Sequence, residues 1–466
     1  MLNTETQMLD KSKAQELFDR IRKFCTSAEL EMIFSGTKHS VTRFANNTIH
    51  QNVAEINEVA SIRVAFDGKT ARATTNRFDE ESLKRAAVSA ENIAKVQEPD
   101  TDRLPMARAD EGKLKSPPQR WFEPTAAITP ADRAEAVAKI VEVAKRNKLV
   151  TAGIYASTQA AEAVVNSNGL NAFHRQTAAE VSITMLADDS SGWQKANFTE
   201  VSKLDPLRLA EIAAKKARDS RGPKELAPGK YTVILEPAAV LDLVGFMFWD
   251  FGGMAILDQR SFLNNRIRTK LFGDNITIVD DVSHPLQSNA PFDGEGVRRE
   301  RVSLVEDGVI RNLVYARATA EKMRKSEFAA KVGEIRVTGH GFPLPNEMGE
   351  APANIVFVTP RDEQTVEQMI AGTERGILIT RLWYIREVDP YEKILTGMTR
   401  DGTFLIEDGK VTYGIRNFRF NQSLIEMLNH VETLGKPVRA SGEEAFDMVV
   451  PAMKVNGFNF TEVTKF

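Results

Sequence analysis

Residues 238–257 read Ala-Ala-Val-Leu-Asp-Leu-Val-Gly-Phe-Met-Phe-Trp-Asp-Phe-Gly-Gly-Met-Ala-Ile-Leu. Val240, Leu241, Leu243, Val244, Phe246, Met247, Phe248, Trp249 and Phe251 leave no polar face, so the stretch is predicted as a helix buried on every side. Gly252 and Gly253 break or kink its far end. Glu236, Asp242 and Asp250 interrupt the wider apolar segment 233–257, which argues against a membrane span. A helix without a polar face needs a large core around it, and the chain downstream supplies the strands to build one.

From residue 230 onward the pattern is short strands with Asp-Gly turns. Leu304-Val305-Glu306-Asp307-Gly308-Val309-Ile310 nearly repeats as Leu405-Ile406-Glu407-Asp408-Gly409-Lys410-Val411. Asp-Gly between apolar strands signals a hairpin, and turn chemistry explains the repeated acidic pair better than metal binding does. Upstream, residues 14–25 carry Leu17, Ile21 and Phe24 at helical spacing, and residues 59–66 alternate as a strand before Asp67-Gly68 turns into 70–74. Asp79 caps a second helix through Leu83, Ala86, Ala87 and Ala90. A polar, proline-bearing stretch at 99–124 reads as a linker. Thr129-Pro130 and Asp205-Pro206 open two more helices, with Asn168-Gly169 turning a hairpin between them. Gly222-Pro223 and Pro228-Gly229 then mark a second boundary.

The expected fold is α+β, with three regions at 1–100, 123–225 and 229–466. The first two are α/β-type modules and the third is larger and β-rich, holding the apolar helix. Both modules run helix, strands, helix, and residues 59–69 resemble 180–190, so a duplicated unit is expected. A length of 466 residues fits two or three domains. Sixty-one basic against sixty-four acidic residues, a formal charge of -3, give no electrostatic footprint for nucleic acid. Residues 1–16 carry charges throughout and lack the apolar core of a signal peptide, so a cytoplasmic protein is expected. Cys25 is the one cysteine, which excludes an internal disulfide and reads as a buried structural thiol.

The six histidines, at 39, 50, 174, 284, 340 and 430, fall at no short metal-ligand spacing, and phosphate-loop and serine-elbow motifs are absent. His340, in Thr338-Gly339-His340-Gly341-Phe342-Pro343, sits on a glycine-lined loop where it either faces a substrate or is simply solvated. Asp280-Asp281 ends a strand and reads as a turn before a hard-cation site. Phe292-Asp293-Gly294-Glu295-Gly296 is a turn without dinucleotide-binding spacing. Asn417, Arg419 and Asn421 alternate with Phe418 and Phe420, forming a polar row that either is solvated or holds an extended peptide beside a sheet edge.

Taken together, these segments resemble the TldD/PmbA family. The resemblance is carried by Thr42-Arg43-Phe44-Ala45-Asn46-Asn47 with Ile49-His50-Gln51-Asn52, and by 292–296 leading to Glu306-Asp307-Gly308. It continues in Thr396-Gly397-Met398-Thr399-Arg400-Asp401-Gly402 and on to Asn417-Phe418-Arg419-Phe420-Asn421. By that resemblance, active members bind zinc through His-Glu-x-x-x-His on the apolar helix and a cysteine near the C-terminus, and cleave peptides or small, loosely structured proteins. Counting back from Val279-Asp280-Asp281 without gaps puts that motif at Val244-Gly245-Phe246-Met247-Phe248-Trp249, which offers no ligand or general base. No histidine lies between His174 and His284, and no cysteine lies in 439–466.

The chain therefore looks like a PmbA/TldE-like member without catalytic or metal residues of its own. The resemblance implies a subunit that pairs, as a dimer, with a TldD-like active homologue and presents peptide substrate. Zinc is expected only in that partner, with no direct nucleic-acid or membrane contact. Asn417, Arg419, Asn421 and His340 are the peptide-binding candidates. The alternatives are a self-sufficient peptidase using His340, His430 and nearby carboxylates, or a stand-alone protein-binding modulator of the gyrase-modulator type.

Overall fold

Three hairpins turn on residues that tolerate positive φ. In a computed structural model that describes residues 9–113, 118–359 and 362–464, Asp67-Gly68 (48° and 75°), Asp307-Gly308 (49° and 76°) and Asp408-Gly409 (48° and 73°) supply the paired left-handed conformation of a two-residue loop. The helix caps are equally local. Asp79 accepts from Ser82 N, Asp205 from Arg208 N, and Thr129 forms a reciprocal capping box with Asp132 ahead of Pro130–Arg146.

These elements build one antiparallel sheet from both N-terminal modules. Its strands are β1 (Glu29–Ala45), β2 (Thr48–Phe66), β3 (Lys69–Thr75), β4 (Val150–Asn166), β5 (Asn171–Leu186) and β6 (Ser191–Phe198), in the order β3-β2-β1-β4-β5-β6. Each half is a helix, a three-stranded meander and a helix, and the halves meet where β1 pairs with β4, Phe34 opposite Ala163. Regions expected as separate modules thus share a continuous sheet. One face buries Leu17, Ile21, Leu83 and Ala87 against Met32 and Val64, and Ile140 and Ala213 against Val181 and Ile183. Val164 and Leu170, from β4 and the turn after it, instead pack on Phe292 and Val297 of the C-terminal region. The first helix is Lys11–Arg22, so Cys25 falls beyond its end; it is half-buried, and burial, with help from Glu91, pushes its thiol up to about 11. Residues 1–8 of the charged N-terminal stretch and 114–117 of the expected linker lie outside the described residues. In the described part of that linker stretch, Met106 and Ala107 are buried rather than solvated.

The C-terminal strands are β7 (Gly229–Leu235), β8 (Thr277–Asp280), β9 (Val302–Glu306), β10 (Val309–Ile310), β11 (Ile355–Val358), β12 (Arg375–Asp389), β13 (Ile394–Glu407), β14 (Lys410–Gly414), β15 (Phe418–Ser423), β16 (Val431–Leu434), β17 (Val438–Ala440), β18 (Met448–Val450) and β19 (Met453–Val463). One sheet runs β10-β9-β8-β11-β18-β17. In the other, β12 pairs with both β7 and β13, so β12-β7-β19-β15-β13 closes into a ring with β14 and β16 appended. Closure removes sheet edges. Stacked Phe418 and Phe460, with ring centroids 4.7 Å apart, belong to its core. The expected edge beside Arg419 is therefore not there, because β15 pairs with β13 along one side and, through residues 418–420, with β19 along the other, while Asn421 O accepts from Asn459 Nδ2 (3.0 Å).

The opening stretch also departs from expectation. It is not a single buried helix but Pro237–Val244, a 3-10 segment Gly245–Phe251, and a short helix Gly253–Leu257. Gly245 opens that 3-10 segment where there is no room for a side chain: a Cβ there would lie 2.4 Å from Ala445 Cβ. Val240, Leu243, Val244, Met247, Phe248 and Phe251 are buried as expected, but Trp249 is 49% exposed. Among the described residues, no helix is long and apolar enough to cross a membrane.

Candidate functional site

The outer face of β1 and β4 does not close fully on the C-terminal region, and a cavity of about 550 Å³ remains between them. That volume suits a small ligand or a few residues of peptide. Ile33 and Val164 come from the sheet, Phe248 and Trp249 from the 3-10 segment, and Phe292 and Phe342 from two loops. Trp249 leans on Phe342 at the mouth, with centroids 5.8 Å apart. Exposed apolar surface on Trp249 is thus cavity wall, which in sequence looks the same as core.

Asp293 joins the two loops. Its carboxylate accepts from Glu295 N (2.9 Å) and Val297 N (3.0 Å) within one loop and from Gly341 N (2.8 Å) in the other. Gly294 is required there, since a Cβ would meet Pro343 N at 2.3 Å. Burial raises the Asp293 pKa, opposed by Arg299 and these N–H groups. Behind it, burial and the neighbouring Asp293 push Glu295 up to about 7, with Arg317 at 3.4 Å opposing.

His340 lies on this wall, but it is neither solvated nor free for substrate. Its side chain is fully buried, with Nδ1 3.0 Å from Thr338 Oγ1 and Nε2 3.0 Å from Asp280 Oδ1. The second contact has ion-pair distance without good hydrogen-bond geometry. Asp280 also accepts from Ala353 N (2.7 Å) and Asn354 N (2.8 Å). Burial alone would raise its pKa, but His340, Asn354 and Arg299 outweigh that and hold it at about 2. Asp280 is thus taken up inside the protein, and Asp281 faces Arg301 at 3.6 Å, so the pair is not a cation site.

Besides Asp293, Glu162 and Arg299 face the cavity without an ion-pair partner among the described residues. Glu162, on β4 opposite Ser35 and His174, makes no side-chain hydrogen bond or ion pair among the described residues and is exposed to the cavity. Its protein surroundings raise its pKa and Arg299 pulls it back. Arg299 spends Nε on the carbonyls of Ala290 (3.2 Å) and Phe292 (3.1 Å) and Nη1 on Gly339 O (3.3 Å), leaving Nη2 unclaimed among the described residues. Sequence reading missed both. The one available signal was a lone carboxylate within Ala160-Ala161-Glu162-Ala163-Val164-Val165.

The other candidates lie elsewhere. Asn417 Oδ1 accepts from the hydroxyls of Thr399 (3.2 Å) and Thr403 (3.0 Å), Arg419 is half-buried and Asn421 is exposed. None lines the cavity beside Trp249. Strand addition is unavailable on β15, so that row offers a peptide side-chain contacts only. His430, at a helix end, has Nδ1 2.7 Å from Glu426 O. The residues at 244–249 do not fit a zinc ion: they carry no carboxylate, imidazole or thiolate. Among the described residues, no group of three His, Cys, Asp or Glu side chains is placed to hold a metal.

Three family models match in order along the chain: PmbA/TldA metallopeptidase domain 1 at residues 30–94, the central domain at 123–221 and the C-terminal domain at 228–462. The metalloprotease PmbA of Escherichia coli O157:H7 is 21% identical over 415 residues, 85% of each chain. An uncharacterized protein of Methanocaldococcus jannaschii is 26% identical over 261 residues, 54% of this chain and 59% of that protein. The crystal structure of TldE from Thermococcus kodakarensis superposes with a TM-score of 0.84 at 20% identity, covering 96% of this chain and all of that one. At that identity the likeness establishes the fold.

Proposed function

Because the chain belongs to the PmbA/TldD metallopeptidase family, we propose that it is a non-catalytic, peptide-binding subunit acting beside a zinc-bearing member of that family. The observation that carries this reading is the wall at 244–249. Where active members are expected to hold zinc, this chain has buried Val244, Met247 and Phe248 and a cavity-facing Trp249. An emptied metal site would leave buried polar groups unpaired, whereas apolar replacements fill the core and leave an apolar surface for side chains. The adjoining cavity keeps the mixture of apolar wall and few polar groups typical of ligand sites.

Peptide binding without hydrolysis is the chemistry this arrangement supports, and cleavage is assigned to the partner. The partner interface should exceed about 1,000 Å², the usual floor for specific association. A reducing cytoplasm suits a chain whose single cysteine is a half-buried thiol. The test is to purify the chain, measure its metal content, and assay peptide cleavage alone and mixed with a family member that carries His-Glu-x-x-x-His. The reading expects far less than one zinc per chain, no cleavage alone, and a mixed species on size-exclusion chromatography whose cleavage needs both proteins.

A further inference from the structure

Resting on the peptide-binding reading, we infer that Glu162 anchors the free amino terminus of the bound peptide, with the first apolar side chains lying against the cavity wall. Among the cavity-facing carboxylates, Asp293 is consumed by three backbone N–H groups and Asp447 by Arg439 at 2.8 Å. Among the described residues, Glu162 alone of these has neither hydrogen bond nor ion pair, although it projects from a fully paired strand into a mostly apolar recess. A carboxylate on the wall of a mostly apolar recess, unpaired among the described residues, is open to a cation brought by a ligand.

An α-ammonium supplies that cation and brings an apolar side chain on the same carbon, a few ångströms away. A lysine ammonium stands at the end of a four-carbon stem and would leave its backbone outside the recess. Arg299 completes the pattern. With Nε and Nη1 committed to loop carbonyls, Nη2 remains to donate to the first peptide carbonyl oxygen. Both groups of the terminal residue then have a partner of the right type, and the peptide leaves the cavity past Trp249. Capture of chain ends by fixed charges is an established recognition mode.

The experiment is isothermal titration calorimetry of the full chain with the tripeptide amide Leu-Leu-Phe-NH₂, its Nα-acetylated form, and an Nα-acetylated Leu-Leu-Lys amide. Acetylation should weaken binding by about tenfold or more, the loss expected for a charge-assisted hydrogen bond. Glu162→Gln should bring the free and acetylated peptides to the same affinity while leaving the acetylated one unchanged. Circular dichroism should confirm that this cavity-exposed variant folds. Equal binding of free and acetylated peptide by the native chain would overturn the amino-terminal anchor and leave peptide binding standing. So would an acetylated lysine peptide that binds as tightly as the free tripeptide. Absence of binding by any of the three at millimolar concentration would overturn the anchor and the peptide-binding reading together.

Discussion

Replacing Asp242 by Asn should flatten the pH dependence of folding. Asp242 is fully buried beneath the loop that follows β17, where Oδ1 accepts from Glu443 N (3.2 Å) and Glu444 N (3.1 Å) while Oδ2 is buried without a partner among the described residues. Burial dominates its environment, the two N–H groups and Arg381 oppose, and the Glu444 charge adds, moving its pKa from 3.8 to about 7. A carboxyl whose folded pKa lies above its unfolded value binds more protons when folded, so stability falls as pH rises from about 4 to 7 and levels off beyond. A shift of about three units at 1.36 kcal/mol each corresponds to about 4 kcal/mol of penalty at alkaline pH. Asn keeps the acceptor for both N–H groups and cannot ionise. At pH 5 the variant should match the native chain within about 1 kcal/mol. At pH 8.5 it should be more stable by roughly 2 to 4 kcal/mol. Urea unfolding at both pH values, with m checked for constancy, measures the difference. An identical stability change at the two pH values would refute the reasoning.

Phe248→Ala should cost about 3 to 5 kcal/mol because that ring is 1% exposed and packs on Phe251. Trp249→Ala should cost only about 1 to 2 kcal/mol, since half the side chain already faces solvent and its removal widens an open cavity; denaturant midpoints would separate the two, and equal costs would count against the cavity wall. Asp280→Ala should destabilise by about 3 to 5 kcal/mol at neutral pH, because it strands buried His340 and two backbone N–H groups. Since Asp280 is held at about 2, below its ordinary 3.8, the native chain's share of this stability should be present above pH 4 and fade as pH falls toward 2, a loss absent from the variant. Arg419→Ala should change stability by less than about 1 kcal/mol in thermal unfolding, because its half-buried side chain makes no ion pair among the described residues.

Local chemistry was legible in the sequence where one or two residues decide it. Asp67-Gly68, Asp307-Gly308 and Asp408-Gly409 turn hairpins, and Asp79, Thr129 and Asp205 cap helices. The α+β class and the β-rich C-terminal region follow from those signals. Ring closure was not legible, because it depends on β7 and β19 pairing across more than two hundred residues. The alternation of Asn417 and Arg419 with Phe418 and Phe420 was correctly read as two faces, yet it carries no information about a strand's neighbours. Trp249 was misplaced for a related reason: hydrophobicity marks what avoids water or binds apolar ligands, and the two uses look alike along the chain. His340 looked solvated because glycines flank it, while the carboxylate that holds it lies sixty residues upstream. Glu162 passed unnoticed because one charge in a strand ordinarily points to solvent, and only the folded chain puts a cavity there.

The central claim is that this chain binds peptide but leaves hydrolysis to another member of its family. Cleavage of an unstructured, fluorescently labelled peptide, followed with this chain alone, with a zinc-bearing relative alone and with both, tests it most directly when zinc per chain is counted in the same samples. The account predicts no turnover and far less than one zinc for this chain alone, and faster cleavage with both present than with the relative alone. Turnover by this chain alone with one zinc bound per chain would contradict it.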